Sequence, residues 1–425
     1  MHDSHDLLRF IDESPAPRLA ADTLVRRLSD AGFRRLGLTD ASWDLAPGAF
    51  FVQRGASVIA FRLRASRARR FAVVGAHTDS PHLRLKPRAP YASEGSLQLG
   101  VEVYGGALLN SWLDRDLGLA GAVFTADGAE HLVRIHTPVA RVPQLAIHLD
   151  RKINDDGLKL NAQTHMAPVW GIAARAGDPG ERFARLLAES AGVDAKDIVG
   201  HDLSLYDLTP SALGGVEGEL IFAPRLDNLA SCHAGLLALL RAEAGVDDTV
   251  PVLACFDHEE IGSASVDGAD GTLLAVVLER VITETGGTRA SFHAAIAGSL
   301  MLSADMSHAV HPNYADRHEP RHKPLMGGGP VLKTNSNQRY GTSATTAARL
   351  RALARAAEVP LQDFVTRTDL GCGSTIGPIT ASRLGMPVVD LGAPMWSMHS
   401  ARECAGTEDH PLYARLLAQH LATHG

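Results

Sequence analysis

The chain of 425 residues is 45% hydrophobic and carries a formal charge of -7 at pH 7. At roughly 150 residues per domain the length allows two or three domains, and the apolar share allows a full core. The mild negative charge gives no electrostatic case for nucleic acid or an anionic membrane surface, so neither is expected as a partner.

The amino-terminal MHDSHDLLRFIDES lacks the basic, apolar and small-residue regions of a secretory signal, and no run approaches the ~20 apolar residues of a membrane span. The expected location is cytoplasmic. Leu7, Leu8, Phe10 and Ile11 share a helical face that ends at Pro15 and Pro17, and a second helix is predicted over Arg18–Ala31 with Gly32 as its stop. Phe50–Gln53 and Ser57–Leu63, separated by Arg54–Gly55, read as a hairpin. The Arg-rich stretch Arg62–Arg70 reads as a solvated turn. Phe71–Ala76 is then an apolar strand that delivers His77, Thr78, Asp79, Ser80 and Pro81 at its carboxyl end.

From about Arg84 to Gly218 the texture changes to short alternating runs punctuated by glycine, among them Leu97–Tyr104, Leu119–Thr125 and Val142–Leu149. This predicts a β-rich insertion containing Tyr104-Gly105-Gly106, with Glu181–Ser190 as its one clear helix. After Leu220–Ala223 comes Arg225-Leu226-Asp227-Asn228, in which Asp227 or Asn228 could cap the apolar helix that runs to about Ala242. A β-α-β rhythm follows: the strand from Val252, a helix over Thr272–Ile282, a strand over Ala294–Ala304 and a helix over Thr345–Ala357. The glycine-rich Gly371–Pro378 leads into Ile379–Leu384 and a strand at Pro387–Leu391. It lacks the lysine of a phosphate-cradling GxxxxGK[ST] loop and reads as a backbone turn. Cys232, Cys255, Cys372 and Cys404 are dispersed without CxxC spacing, which argues against a disulfide framework or a thiolate zinc knuckle.

The chemistry concentrates where the apolar strand Val252–Phe256 gives way to Asp257, His258, Glu259 and Glu260. Adjacent carboxylates repel, and they persist most easily beside a cation; the plainer alternative is an exposed acidic turn. His77 with Asp79, Asp227, Glu259 with Glu260, Asp305 and His399 each lie near a strand end. If those strands are parallel neighbours, the residues converge on one sheet edge, where α/β proteins bind ligands. Imidazoles and carboxylates without cysteine suit zinc, with manganese or cobalt as substitutes. A central Asp227 invites a two-metal site, with ions about 3.5–4 Å apart that activate a water and polarise a carbonyl. Asp79 would orient His77, and Glu259 would act as general base.

Several ordered blocks carry a family resemblance: GAHTDSP at Gly75–Pro81, RLDN at Arg225–Asn228, DHEEIGS at Asp257–Ser263, SADMSHAVHPNY at Ser303–Tyr314, NSNQRYGT at Asn335–Thr342, TIGPI at Thr375–Ile379 and MHSARE at Met398–Glu403. Together they resemble the M18 metallopeptidases, the aspartyl aminopeptidases, over nearly the whole chain. The resemblance implies an α/β di-zinc exopeptidase, with an α/β/α proteolytic domain over residues 1–83 and 219–425 and an inserted β-rich dimerisation domain over 84–218. It implies His77, Asp227 and Asp305 around one zinc, Asp227, Glu260 and His399 around the other, Glu259 as base and Asp79 as the support of His77. It further implies a homododecamer built from dimers, short peptides as substrates, His148 reaching a neighbouring subunit's site, and Lys333 and Tyr340 at the substrate pocket. Asp257, His258, His308 and His311 fall into supporting positions. The expected activity is hydrolysis of amino-terminal Asp or Glu from peptides. The alternatives are a related di-zinc exopeptidase of neutral specificity, an amidohydrolase of N-acyl amino acids, or a catalytically silent shell.

Overall fold

A computed structural model of the chain describes residues 2–175, 177–242 and 248–422. Continuous rather than alternating apolar runs suit strands covered on both faces. Two runs of this kind, Thr249–Phe256 and Arg70–His77, lie side by side near the centre of a nine-stranded sheet. They pair in parallel, with Phe256 opposite His77. The strands Leu300–Ala304 and Val388–Gly392 extend the parallel core on the far side of Arg70–His77. Antiparallel neighbours flank it, Ser57–Leu63 on one side and Val331–Thr334 on the other.

The two faces of this sheet carry separate cores. Ala72 and Val74 pack with Leu229, Leu236 and Leu239 of the helix Leu226–Arg241 and with Leu416 and Leu417 of the helix Asp409–Ala422. Phe71 and Val73 point the other way, onto Val277, Leu278 and Val281 of the helix Leu273–Glu284 and Ile296 of Arg289–Gly298. Each buried Val, Leu, Ile or Phe among these contributes about 1.5–3 kcal/mol, so the sheet edge that carries the polar residues rests on a rigid base.

A second, six-stranded antiparallel sheet is built within residues 82–207, in the spatial order Glu130–Ala140, Leu117–Thr125, Ile198–Asp207, His82–Ser93, Ser96–Tyr104 and Val169–Ile172. The helix Pro179–Ala191 covers it through Phe183 and Leu187, opened by an Asp178 cap on the Glu181 N–H and closed at left-handed Gly192. A five-stranded sheet joins the segments Ala212–Gly214, Leu220–Ala223, Glu403–Gly406, Pro394–Trp396 and Ser307–His308. Among the described residues no helix is long and apolar enough to cross a membrane.

Several local expectations give way to particular interactions. The strand expected over Ala294–Ala304 is a helix, Arg289–Gly298, followed by the shorter strand Leu300–Ala304. Thr288 and Ser291 form a reciprocal capping box that starts the helix. Val142–Leu149 is no strand: Pro143 follows the one bridge at Val142, and the chain continues as an exposed turn. The stretch Gly371–Pro378, expected as a turn, gives its last residues to a helix that starts at Ile376, where the Thr375 hydroxyl accepts the Gly377 N–H. The arginines of the supposed solvated turn are partly internal, since Arg62 donates to the Leu239 carbonyl and Arg64 to that of Ala242. Asp227 and Asn228 do not cap their helix; both are buried, and the residue at the cap is left-handed Arg225.

Candidate metal centre

Parallel register brings the polar residues together. With Phe256 opposite His77 and Ser303 opposite Gly75, the three strands end at one level. The chain therefore releases His77, Glu259, Glu260 and Asp305 along one edge. Asp227, at the start of the helix beneath, joins them across a cis peptide bond to Asn228. The Asn228 amide is tied to the Ala304 carbonyl at 2.9 Å, and Ser80 donates to the Asp227 carbonyl at 2.6 Å.

Hydrogen bonds set both imidazoles the same way round. His77 Nδ1 lies 3.0 Å from the Asp79 backbone oxygen, and His399 Nδ1 lies 3.1 Å from the Gly106 oxygen. A carbonyl can only accept, so each Nδ1 carries the proton and each Nε2 is left as a lone-pair donor. His77 Nε2 faces Asp227 Oδ1 at 3.5 Å, Asp305 Oδ1 at 3.7 Å and Glu259 Oε2 at 3.9 Å. His399 Nε2 faces Asp227 Oδ2 at 3.4 Å and Glu260 Oε2 at 3.4 Å. Asp227 thus presents one oxygen to each histidine. The sets His77, Asp227, Asp305 and Asp227, Glu260, His399 each hold candidate ligand atoms within 4.8 Å of one another, as does His77 with Glu259 and Glu260.

The donor set fits divalent cations. Asp227 Oδ1 and Glu260 Oε1 are buried, with no hydrogen-bond donor among the described residues. Leaving a buried charged oxygen unsatisfied costs about 1–3 kcal/mol or more, and a cation removes that cost. Burial lifts Glu259 to about 8, His77 opposing and the neighbouring acids adding to the rise, and lifts Glu260 well above the usual carboxylate range. Burial works against charge on His399, yet Asp227 and Glu260 raise it to about 10. Two imidazoles with mixed carboxylate oxygens and no thiolate are ligands that zinc accepts.

Asp79 organises the first cluster through its own carboxylate. It is fully buried and accepts the backbone N–H groups of Glu259 at 3.1 Å and Glu260 at 3.0 Å. The adjacent acids therefore sit on a loop pinned to the residue that follows His77 by two positions. Lys333 backs the opposite side: its ammonium is buried, 3.4 Å from Asp305 Oδ2 and 2.9 Å from the Met306 carbonyl, and it lies over the Tyr340 ring. Burial is opposed at Asp305 by Lys333 and His77, which hold its carboxyl well below the usual range.

Other named residues stand apart. His148 is exposed on the turn after Val142, among Leu145, Ile147 and Leu149, and makes no hydrogen bond among the described residues. Asp257 turns back to accept the His258 N–H, and His311 accepts the Asn313 N–H.

Reasoning from residue types missed Glu403. It is 2% exposed, and its carboxylate accepts the backbone N–H of Asp227 at 3.1 Å and of His399 at 2.7 Å. Its place inside the MHSARE block was the available signal; nothing in the residue type separates it from a surface acid.

A mixed α/β fold with this cluster at the carboxyl ends of its central strands belongs to the metal-dependent hydrolases. Residues 10–420 match the profile of a family described as Aminopeptidase I zinc metalloprotease (M18). The chain is 47% identical over 420 residues to a probable M18 family aminopeptidase 2 of Streptomyces coelicolor, covering 98% of this chain and 96% of that one. It is 48% identical over 429 residues to the protein of the same name in Pseudomonas aeruginosa, covering 98% and 97%. Among solved structures, the cryo-EM structure of the Ape4 and Nbr1 complex superposes with a TM-score of 0.95 at 38% identity, covering 99% of this chain and 85% of that one. The S. cerevisiae mApe1 dodecamer superposes at 0.85 with 27% identity, covering 98% and 95%. The chain belongs to the M18 family of zinc aminopeptidases, enzymes that hydrolyse peptide bonds.

Proposed function

We propose that this aminopeptidase removes amino-terminal Asp or Glu from short peptides, with two zinc ions per subunit. Manganese or cobalt would be workable substitutes. His77, Asp227 and Asp305 would hold one ion, and Asp227, Glu260 and His399 the other. The observation that carries this reading is the split of Asp227, whose Oδ1 and Oδ2 face different imidazoles at 3.5 and 3.4 Å.

When bound, the ions would supply an activated water and polarise the scissile carbonyl. The protein's own part is proton transfer and placement. Glu259 is the most exposed of the clustered carboxylates, its side chain 14% accessible against 4% for Asp227, 5% for Glu260 and 12% for Asp305. It would take the proton from water at Oε2 and return it to the leaving amine. Asp79 keeps Glu259 in place through the backbone, and it fixes His77 by the turn in which its carbonyl accepts the Nδ1 proton. Burial keeps the Tyr340 phenol protonated, well above its ordinary range, so its hydroxyl would be a donor to the tetrahedral oxyanion.

Acidic preference rests on Lys333. An ammonium has three donors, and Asp305 and Met306 engage two of them. The third would meet the carboxylate of an amino-terminal Asp or Glu side chain. Lys333→Met keeps the volume of the stem and removes the charge. It should lower kcat/KM for Asp and Glu substrates far more than for Leu; an equal fall on all three contradicts the role.

Residues 84–218 would form the subunit-pairing domain inserted between the two parts of the proteolytic domain, 1–83 and 219–425. The apolar side chains of Leu145, Ile147 and Leu149 are exposed there, and His148 between them would reach a neighbouring subunit's site. The chain would assemble as a cytoplasmic homododecamer built from dimers, and a dodecamer is the assembly named for the S. cerevisiae relative.

A further inference from the structure

The six-stranded sheet does more than lie beside the proteolytic fold. Its strand Ser96–Tyr104 ends against the metal centre, and the next residues touch both halves of it. Tyr104 is buried, its ring stacked on His82 with centroids 4.5 Å apart, and its hydroxyl donates to Asp79 Oδ2 at 2.8 Å. That oxygen also accepts the Glu260 N–H. Tyr104 therefore completes the donor set of the carboxylate that orders His77 and the Glu259–Glu260 loop.

Gly105 and Gly106 work at closer range. Gly105 has φ +66°, and a Cβ there would meet Glu260 Cβ at 3.0 Å. Both facts require glycine. The Gly106 carbonyl accepts the His399 Nδ1 proton, and a Cβ on Gly106 would stand 3.2 Å from that same nitrogen. Leu108 then donates its N–H to the His399 carbonyl at 3.0 Å, so the loop holds His399 by ring and backbone.

We infer that Tyr104-Gly105-Gly106 is a positioning element of the metal centre, through which the inserted β-rich segment completes the ligand shell of its own subunit. This rests on the two-metal reading above. The three residues act through Asp79, Glu260 and His399 and touch no reacting atom. Partners that hydrogen-bond to metal ligands orient them and tune their basicity, and losing one typically costs about 10–100-fold in metal affinity or activity.

The test uses the full-length protein stripped of metal with a chelator. Tyr104→Phe removes one hydroxyl, Gly106→Ala adds one methyl facing His399, and Tyr91→Phe on the exposed part of the same sheet is the control. Zinc affinity is read by calorimetry, the ligand field by the visible spectrum of the cobalt-loaded protein, and the fold by thermal unfolding of the metal-free protein. We expect zinc affinity to fall about ten-fold or more in both variants and the cobalt bands to shift, with any fall in metal-free stability smaller than the free energy of the affinity loss. Wild-type zinc affinity and unchanged cobalt bands in the variants would overturn the inference alone. So would an affinity loss matched by an equal loss of metal-free stability, which would mark a purely structural role. Should Gly106→Ala fail to fold, Tyr104→Phe decides. A wild-type protein that binds no zinc would overturn the two-metal reading itself, and the inference with it.

Discussion

Glu403 Oε2 accepts the backbone N–H of Asp227 at 3.1 Å, across 176 residues of sequence. Its other oxygen accepts the His399 N–H at 2.7 Å, so one buried carboxylate spans the backbones of two candidate ligands. In Glu403→Gln one acceptor becomes an NH2 group that meets an N–H. The lost bond and the unpaired donor cost about 1–3 kcal/mol. The expected outcome is a 10–100-fold fall in kcat/KM, roughly the cost of losing an outer-shell partner, accompanied by a lower zinc content after desalting. Full zinc content with wild-type turnover would show that Glu403 only fills space.

The loop that carries Glu259 and Glu260 is held by their backbone N–H groups, which donate to the Asp79 carboxylate, and not by the Glu259 side chain. Glu259→Gln should therefore leave fold and zinc content intact while kcat falls about 10²–10⁴-fold, the usual contribution of a general base. Elemental analysis alongside steady-state kinetics reads both quantities. Retained turnover would remove Glu259 from the proton path.

Much of this arrangement was legible in the sequence, for identifiable reasons. Thr249–Phe256 and Arg70–His77 announce themselves as doubly covered parallel strands because each is an unbroken apolar run ending in ionisable residues. Once parallel neighbours were assumed, convergence of His77, Glu259, Glu260 and Asp305 followed from register. What escaped depends on partners distant in sequence. Glu403, Tyr104 and Gly106 act through bonds to Asp227, Asp79 and His399, and no local pattern records such bonds. The helix Arg289–Gly298 was missed because the run Ala294–Gly298 is apolar enough for a strand, while the signal that decides it, Thr288 with Ser291, lies upstream.

Away from the site, His420 gives a test of stability against pH. It is buried on the C-terminal helix, its Nε2 3.2 Å from the carbonyls of Val73 and Leu300, and burial lowers it from 6.5 to about 4. The unfolded chain takes up this proton near pH ~6.5, while the folded chain resists it until about 4. The contribution is thus complete above the unfolded value and is lost as pH falls from there through the folded one. The slope is about 1.4 kcal/mol per pH unit for one proton. His420→Gln keeps a side-chain N–H donor and cannot titrate. Denaturant unfolding at several pH values between those limits should show a shallower decline for the variant. Parallel declines would mean that His420 is not the group being protonated.

A zinc-dependent preference for acidic amino termini is the property on which the metal-ligand, base and Lys333 assignments converge. The most direct measurement is the turnover of Asp-, Glu- and Leu-initiated peptides and an N-acetylated amino acid by the chelator-treated protein, before and after zinc is restored. We predict no turnover without metal and recovery with zinc, with kcat/KM for Asp and Glu above that for Leu and no cleavage of the acetylated substrate. Full turnover in the metal-free protein, or preference for Leu over Asp after zinc is restored, would contradict it.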